Sequence, residues 1–264
     1  MRVIILGSGS SGNALYIEAG ETRALVDVGL SAKETARRLT ETGIDPTRIN
    51  AIVVTHEHAD HIKGVRVFSK TASAPVFISE ETRMMSNFGG KSEDIRWGQV
   101  ITSSEPFQIG SLDFHPFTIP HDGIDTFAYT VESAGVKIGI VTDLGYITQL
   151  VAQKLLGCKM IVIESNHDRD MLKVGPYPWH LKQRIASKTG HLSNDETSRW
   201  LKEDFDGEAE YIVLAHLSKQ CNHPELARLA ALQSLGERGS LFFQDAERRV
   251  KVAAQDHASE WFEF

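Results

Sequence analysis

Three histidines and an aspartate fall within six residues of Thr55-His56-Glu57-His58-Ala59-Asp60-His61. Imidazole and carboxylate are the ligands that Zn²⁺, Mn²⁺ and Fe²⁺ accept. The segment follows Ala51-Ile52-Val53-Val54, a short β-branched run that reads as a buried strand. The ligand types therefore stand where a strand ends and a loop begins. His56 and His58 are two apart, so on an extended chain they point the same way. Asp60 and His61 are adjacent and reach another direction only if the backbone turns there, which suits a second metal. The plainer alternative is a polar loop with surface histidines.

Three further ligand-type residues stand at the C-terminal ends of apolar runs. His121 follows 117–120, Asp143 follows 138–142 and His216 follows 211–215. One such histidine is more often structural; three in a chain that also carries the dense motif make a shared site the better reading. Two divalent cations sharing a water lower its pKa and polarise a scissile phosphoryl or carbonyl group. Asp60, beside that water, can position it or accept its proton. No serine or cysteine nucleophile is then required, and nothing in the local sequence pairs Cys221 with a base. Asp27 ends another strand, where it can orient a histidine or simply make a turn. A purely structural metal is disfavoured, because this ligand set leaves room for water.

The elements that must position these residues are legible as short strands and capped helices. Strands are expected at 3–6, 14–18, 24–28, 74–78, 106–109, 112–119, 127–132, 136–141, 160–163, 211–215 and 241–243. Helices are expected from the capping box Ser31-Ala32-Lys33-Glu34 to 42, and over 62–71, 80–88 and 147–156. Two more follow: one from the box Ser193-Asn194-Asp195-Glu196 to 205, and a strongly amphipathic one over 224–236. Gly7-Ser8-Gly9-Ser10-Ser11-Gly12-Asn13 joins the first two strands. It lacks the lysine of a nucleotide-binding P-loop, so it reads as a tight connection or an oxygen-binding loop near the metals. Periodicity and composition alone support α/β or α+β. No linker or low-complexity stretch divides residues 1–264, which read as one domain.

His56, His58, Asp60 and His61 complete the HxHxDH signature, and the chain resembles the metallo-β-lactamase fold of binuclear hydrolases. A redox branch of that fold usually carries a carboxylate where His58 stands, so His58 favours hydrolysis. The resemblance implies an α+β, four-layer αββα sandwich and two divalent ions, Zn or Mn. It implies that His56, His58 and His121 hold one ion, that Asp60, His61 and His216 hold the other, and that Asp143 bridges them. Glu164-Ser165-Asn166-His167-Asp168 and Gly190-His191-Leu192-Ser193-Asn194 resemble two accessory motifs of the phosphodiesterases of this fold, such as the tRNA 3′-processing nucleases. That likeness implies that Glu164 orients His191 and that His191 protonates the departing oxygen. His167 is a further candidate that sequence does not separate from Glu164. Over nearly all 264 residues the chain resembles the YycJ/WalJ-type group, regarded as bacterial cytoplasmic 5′-to-3′ DNA exonucleases.

Residues 171–190 carry Lys173, Lys182, Arg184 and Lys188 and no acid, with Tyr177 and Trp179 interleaved. Such a stretch suits a surface that tracks a backbone and stacks bases of single-stranded nucleic acid, DNA first and RNA also. The ordinary cause of such a run is a solvated basic helix face. Its place between the two accessory motifs favours the nucleic-acid reading. The rival is a hydrolase of small amides, lactones, thioesters or β-lactams, which needs no basic rim.

Composition is compatible with all of this. The net charge of −7 argues against a general nucleic-acid coat, though not against a nuclease whose acids face metal ions. Hydrophobic content of 41% suits a globular protein. No apolar run is long enough to span a membrane, and the N-terminus reads as a first strand rather than a leader. Two cysteines fit free thiols in a reducing cytoplasm. Metal identity, digestion polarity and oligomeric state are left open by the sequence.

Overall fold

The computed structural model describes residues 1–86, 88, 92–103, 105–238 and 245–264. Two seven-stranded sheets form its frame. The first runs, edge to edge, β14 (Phe262–Glu263), β1 (Arg2–Gly7), β2 (Ala14–Ala19), β3 (Thr22–Val26), β4 (Ala51–Val53), β5 (Val76–Ile78) and β6 (Trp97–Val100). The second runs β13 (Val250–Val252), β12 (Tyr211–Ala215), β11 (Met160–Glu164), β10 (Val136–Val141), β9 (Phe127–Ser133), β8 (Leu112–Thr118) and β7 (Phe107–Ile109). Each sheet is antiparallel on one side and parallel on the other. Neighbours from β3 to β6 are parallel. So are those from β10 to β13.

Alternation along the strands explains why both faces are apolar. Val3 and Ile5 of β1 join Val53, Phe114, Tyr129, Ile140, Val162 and Val213 in the core between the sheets. Ile4 and Leu6 face outward and pack with Leu39, Val65 and Phe68. These come from α1 (Ala32–Glu41) and from α3 (Val65–Ala72), which follows the single turn α2 (Ala59–Ile62). α4 (Glu80–Met85) follows β5. On the far side Val141, Ile161, Ile163 and Leu214 pack under α5 (Gln149–Leu155), α8 (Asn194–Glu203) and α9 (Pro224–Glu237). Two short helices, α6 (Arg169–Val174) and α7 (Trp179–Ile185), stand between β11 and α8, and α10 (Ala246–Arg249) precedes β13. The layering is helix, sheet, sheet, helix, the expected α+β sandwich. Each large side chain that leaves water in these layers contributes about 1.5–3 kcal/mol.

The serine half of both capping boxes holds. Ser31 Oγ accepts from the Glu34 amide and Ser193 Oγ from the Glu196 amide. Other expectations need correction. The helix expected over 62–71 begins only at Val65, and Ile62 instead closes the separate single turn α2 that carries Asp60 and His61. The helix expected to reach 88 ends at Met85. α9 is present but is no clean amphipath: Ala227, Ala231 and Leu235 are buried, while Leu226 and Leu229 are exposed. The strand expected at 241–243 lies outside the described residues. The edge strands β6, β13 and β14 were not anticipated. They are two to four residues long, too short for an alternation to mark them. Among the described residues no helix is long and apolar enough to cross a membrane.

Candidate metal centre

β3, β4, β10, β11 and β12 all end at the same rim, and each ends on or is soon followed by a ligand-type or orienting residue. Asp27, Asp143 and His216, just past β3, β10 and β12, have φ of 61°, 61° and 55°. A side chain other than glycine pays to adopt this left-handed conformation, and such residues gather where function over-determines the backbone. Here the twist swings each side chain off its strand and into the rim. The loop after β3 passes so tightly beneath α2 that a Cβ on Gly29 would lie 1.6 Å from the Asp60 carbonyl oxygen.

All seven expected ligands converge on this rim. Single ligand atoms of His56, His58 and His121 lie within 4.8 Å of one another, as do those of Asp60, His61 and His216. Asp143 groups with His56 and His61, and also with Glu164, His191 and His216. Its Oδ2 is 3.2 Å from His61 Nε2 and its Oδ1 is 3.4 Å from His216 Nε2. Asp60 Oδ2 stands 3.4 Å from His216 Nε2.

Neighbouring groups fix which ring nitrogen faces inward. Thr55 Oγ1 donates to Asp27 Oδ2 at 2.8 Å, so it accepts from His56 Nδ1 at 2.9 Å. His61 Nδ1 donates to Asp27 Oδ2 at 2.7 Å. His216 Nδ1 donates to Glu164 Oε1 at 2.8 Å, and His121 Nδ1 to the Gly190 carbonyl at 3.2 Å. With Nδ1 engaged, all four rings turn Nε2 into the cluster, where it is the nitrogen left for a metal. Metal-ligating histidines are held this way, with the far N–H tied to a carboxylate or carbonyl. His56 Nε2 is buried and has no hydrogen-bond partner. A buried acceptor left bare at the centre of a His/Asp cluster fits a divalent cation.

Electrostatics agree. Burial drives His56 well below the ordinary imidazole range, reinforced by the charge on His61. At His216 burial is outweighed by the Asp143, Asp60 and Glu164 carboxylates, which lift the ring to about 10. Burial also opposes ionisation of Asp60, yet the His216 hydrogen bond and the His61 charge hold it at about 2. Carboxylates that draw protons onto imidazoles this firmly also favour metal cations, which displace those protons on binding.

Beside the cluster, His191 Nδ1 donates to Glu164 Oε1 at 2.8 Å. The other oxygen, Glu164 Oε2, accepts from the Leu144 and Leu192 amides. Burial is again outweighed, here by His191 and His216, and Glu164 sits at about 2. His191 is raised in turn, because Glu164 outweighs the cost of its burial. His167 is separate from this pair. It is 2% exposed and burial pushes it down to about 4.

The basic stretch divides. Lys173, Trp179, Lys182 and Lys188 line one cavity together with His191. Tyr177 instead turns its hydroxyl to within 3.4 Å of Ser218 Oγ. Arg184 is bound to Asp122, whose Oδ1 lies 3.4 Å from His121 Nε2 and 3.6 Å from His58 Nε2. Lys173 pairs with Asp170, and Lys182 Nζ donates to the Lys173 carbonyl. Among the described residues Lys188 makes no ion pair. Cys221 is buried and its thiol is pushed up by burial, so it is no nucleophile.

Sequence reasoning missed three contributors. Asn13 Nδ2 lies 2.9 Å from His61 Nε2 and 3.4 Å from Asp60 Oδ2, and Ser8 Oγ accepts from the His216 amide. The glycine–serine loop is therefore the floor of the cluster. Asp122, next to His121, ties α7 to the rim. The loop's signal was present in its composition, but the Asn13 and Asp122 contacts depend on residues 47 to 62 positions away.

A family model described as a beta-lactamase superfamily domain matches residues 22–217. The chain is 35% identical over 237 residues to "Exodeoxyribonuclease YycJ" of Bacillus anthracis, covering 89% of both chains. It is 34% identical to "Exodeoxyribonuclease WalJ" of Streptococcus pneumoniae, covering 88% of this chain and 87% of that one. Among solved structures, the metallo-beta-lactamase fold protein YhfI from Bacillus subtilis superposes with a TM-score of 0.73 at 15% identity, covering 98% and 100% of the two chains. The short form of human tRNase Z gives 0.67 at 17% identity, covering 98% and 99%. These structural likenesses concern the fold.

Proposed function

The chain belongs to the β-lactamase superfamily, and from that membership we propose that it is a binuclear metal-dependent phosphodiesterase, a 5′-to-3′ exonuclease of single-stranded or nicked DNA. The carrying observation is the Glu164–His191 pair standing beside the two ligand groups. His56, His58 and His121 would hold one Zn or Mn ion, Asp60, His61 and His216 a second, and Asp143 both. When bound, the two ions supply a water of lowered pKa and charge to stabilise the phosphoryl oxygens. Asp60 orients the attacking water and accepts its proton. His191, held in place by Glu164, gives a proton to the departing oxygen. Lys182 and Lys188, which line the cavity beside His191, attract the strand. The exodeoxyribonuclease relatives over most of the chain support DNA over RNA as the substrate. A single domain working in the cytoplasm completes the reading.

End-labelled DNA and RNA, incubated with the chelator-stripped protein and with Zn²⁺ or Mn²⁺ restored separately, test it. Metal-dependent release of label from the 5′ end of DNA is expected. Turnover of lactones or β-lactams without nucleic-acid cleavage would replace the reading with the small-molecule hydrolase.

A further inference from the structure

Between α6, α7 and the loop that carries His191 lies a cavity of about 630 Å³. Pockets of roughly 300–1,000 Å³ enclose a ligand of nucleotide size. Three features of its lining point to what it takes. Trp179 is 71% exposed, a large aromatic face left in solvent on the cavity wall. Lys188, on the same wall, is without an ion pair among the described residues. His167 also lines the cavity; it is almost wholly buried, and its Nδ1 has no hydrogen-bond partner. A bare buried ring nitrogen beside a cavity calls for a polar group supplied from that cavity.

We propose that this cavity holds the terminal nucleotide of the strand being digested, on the leaving-group side of the scissile phosphodiester. The inference rests on the phosphodiesterase reading and adds to it where the departing group sits. His191 lines the cavity, and the oxygen it protonates must face it. In the hydrolysis a water oxygen bonds to phosphorus and the bond from phosphorus to the 3′ oxygen breaks. That 3′ oxygen takes the proton of His191, and the proton lost by the water goes to Asp60. A strand entering by its 5′ end therefore leaves its first nucleotide in the cavity. The base stacks on Trp179, with a polar edge toward His167 Nδ1, and Lys188 neutralises its phosphate. With the first nucleotide seated there and the bond on its 3′ side cut, digestion proceeds one nucleotide at a time from the 5′ end.

The probe is 2′-deoxyadenosine 5′-monophosphate, titrated calorimetrically into the metal-loaded protein and added as an inhibitor of single-stranded DNA digestion. Wild type should bind it, be inhibited by it and release mononucleotides. Trp179→Ala, at an exposed site, and Ala186→Trp, which narrows the cavity, should each weaken its binding by about tenfold. The ratio of DNA turnover to bis(p-nitrophenyl) phosphate turnover should fall in step. Unchanged nucleotide binding in both variants while DNA is still digested, or products of several nucleotides from wild type, would overturn the inference and leave the nuclease reading standing. Hydrolysis of the aryl diester with no digestion of any nucleic acid would remove both.

Discussion

Four imidazoles turn the same nitrogen inward because their other nitrogens are already engaged by Asp27, Glu164, Thr55 and the Gly190 carbonyl. Asp27 does the most: one carboxylate takes the His61 proton, the Thr55 hydroxyl and the Thr55 amide. Asp27→Asn keeps the shape but loses the charge that fixes the His61 tautomer. It should lower metal affinity by about 10–100-fold, read by competition with a chromogenic chelator, while the thermal transition of the metal-free protein moves little. Unchanged affinity would mean that Asp27 only shapes a turn. His191 makes a different prediction. A nucleotide alkoxide leaves poorly without a proton, whereas p-nitrophenolate leaves without one. His191→Ala should therefore slow DNA hydrolysis by about 10²–10⁴-fold and bis(p-nitrophenyl) phosphate hydrolysis far less. Equal losses on both substrates would show that His191 is not the acid. At this scale sequence was informative about which side chains gather, since imidazole and carboxylate at strand ends stand out. Asn13 and Asp122 were invisible because an ordinary loop amide or acid acquires a role only from what the fold places opposite it.

At the scale of elements, the site exists because five strands end at one rim and three backbones twist into the left-handed region there. The β-branched runs that form those strands were legible. The short edge strands were not, because their order comes from a neighbour's open hydrogen bonds rather than from their own residues. The basic stretch was legible as charge but not as two helices, since α6 and α7 are single short elements interrupted by Gly175 and Pro178. Their partners now distinguish residues that composition made equivalent. Arg184 is committed to Asp122, while Lys182 and Lys188 face the cavity. Replacing Lys182 and Lys188 together by alanine should flatten the log–log salt dependence of single-strand binding by about 1.4 units, about 0.7 for each phosphate no longer neutralised. Arg184→Ala should leave that slope nearly unchanged and act instead on the position of His58 and His121. A wild-type slope in the double variant would make this face merely solvated.

The whole molecule sets one sheet against the other so that the parallel strands of both sheets deliver their C-terminal ends to the same place. The first sheet brings Asp27 and the histidine motif, the second brings Asp143, Glu164 and His216, and neither half-site would hold two ions. The net charge of −7 is less at odds with a nucleic-acid substrate than it looks, because Asp27, Asp143 and Glu164 are buried at the His/Asp cluster rather than turned outward. Two ions held by seven residues is the claim on which the rest depends. The direct measurement is the metal content of the purified protein by mass spectrometry after saturation with Zn²⁺ and removal of loosely bound metal. Two ions per chain are expected in wild type. His216→Ala should retain one, because it strips a ligand from the Asp60–His61–His216 group and leaves His56, His58 and His121 untouched. A single ion in wild type, or two retained after His216→Ala, would contradict the account.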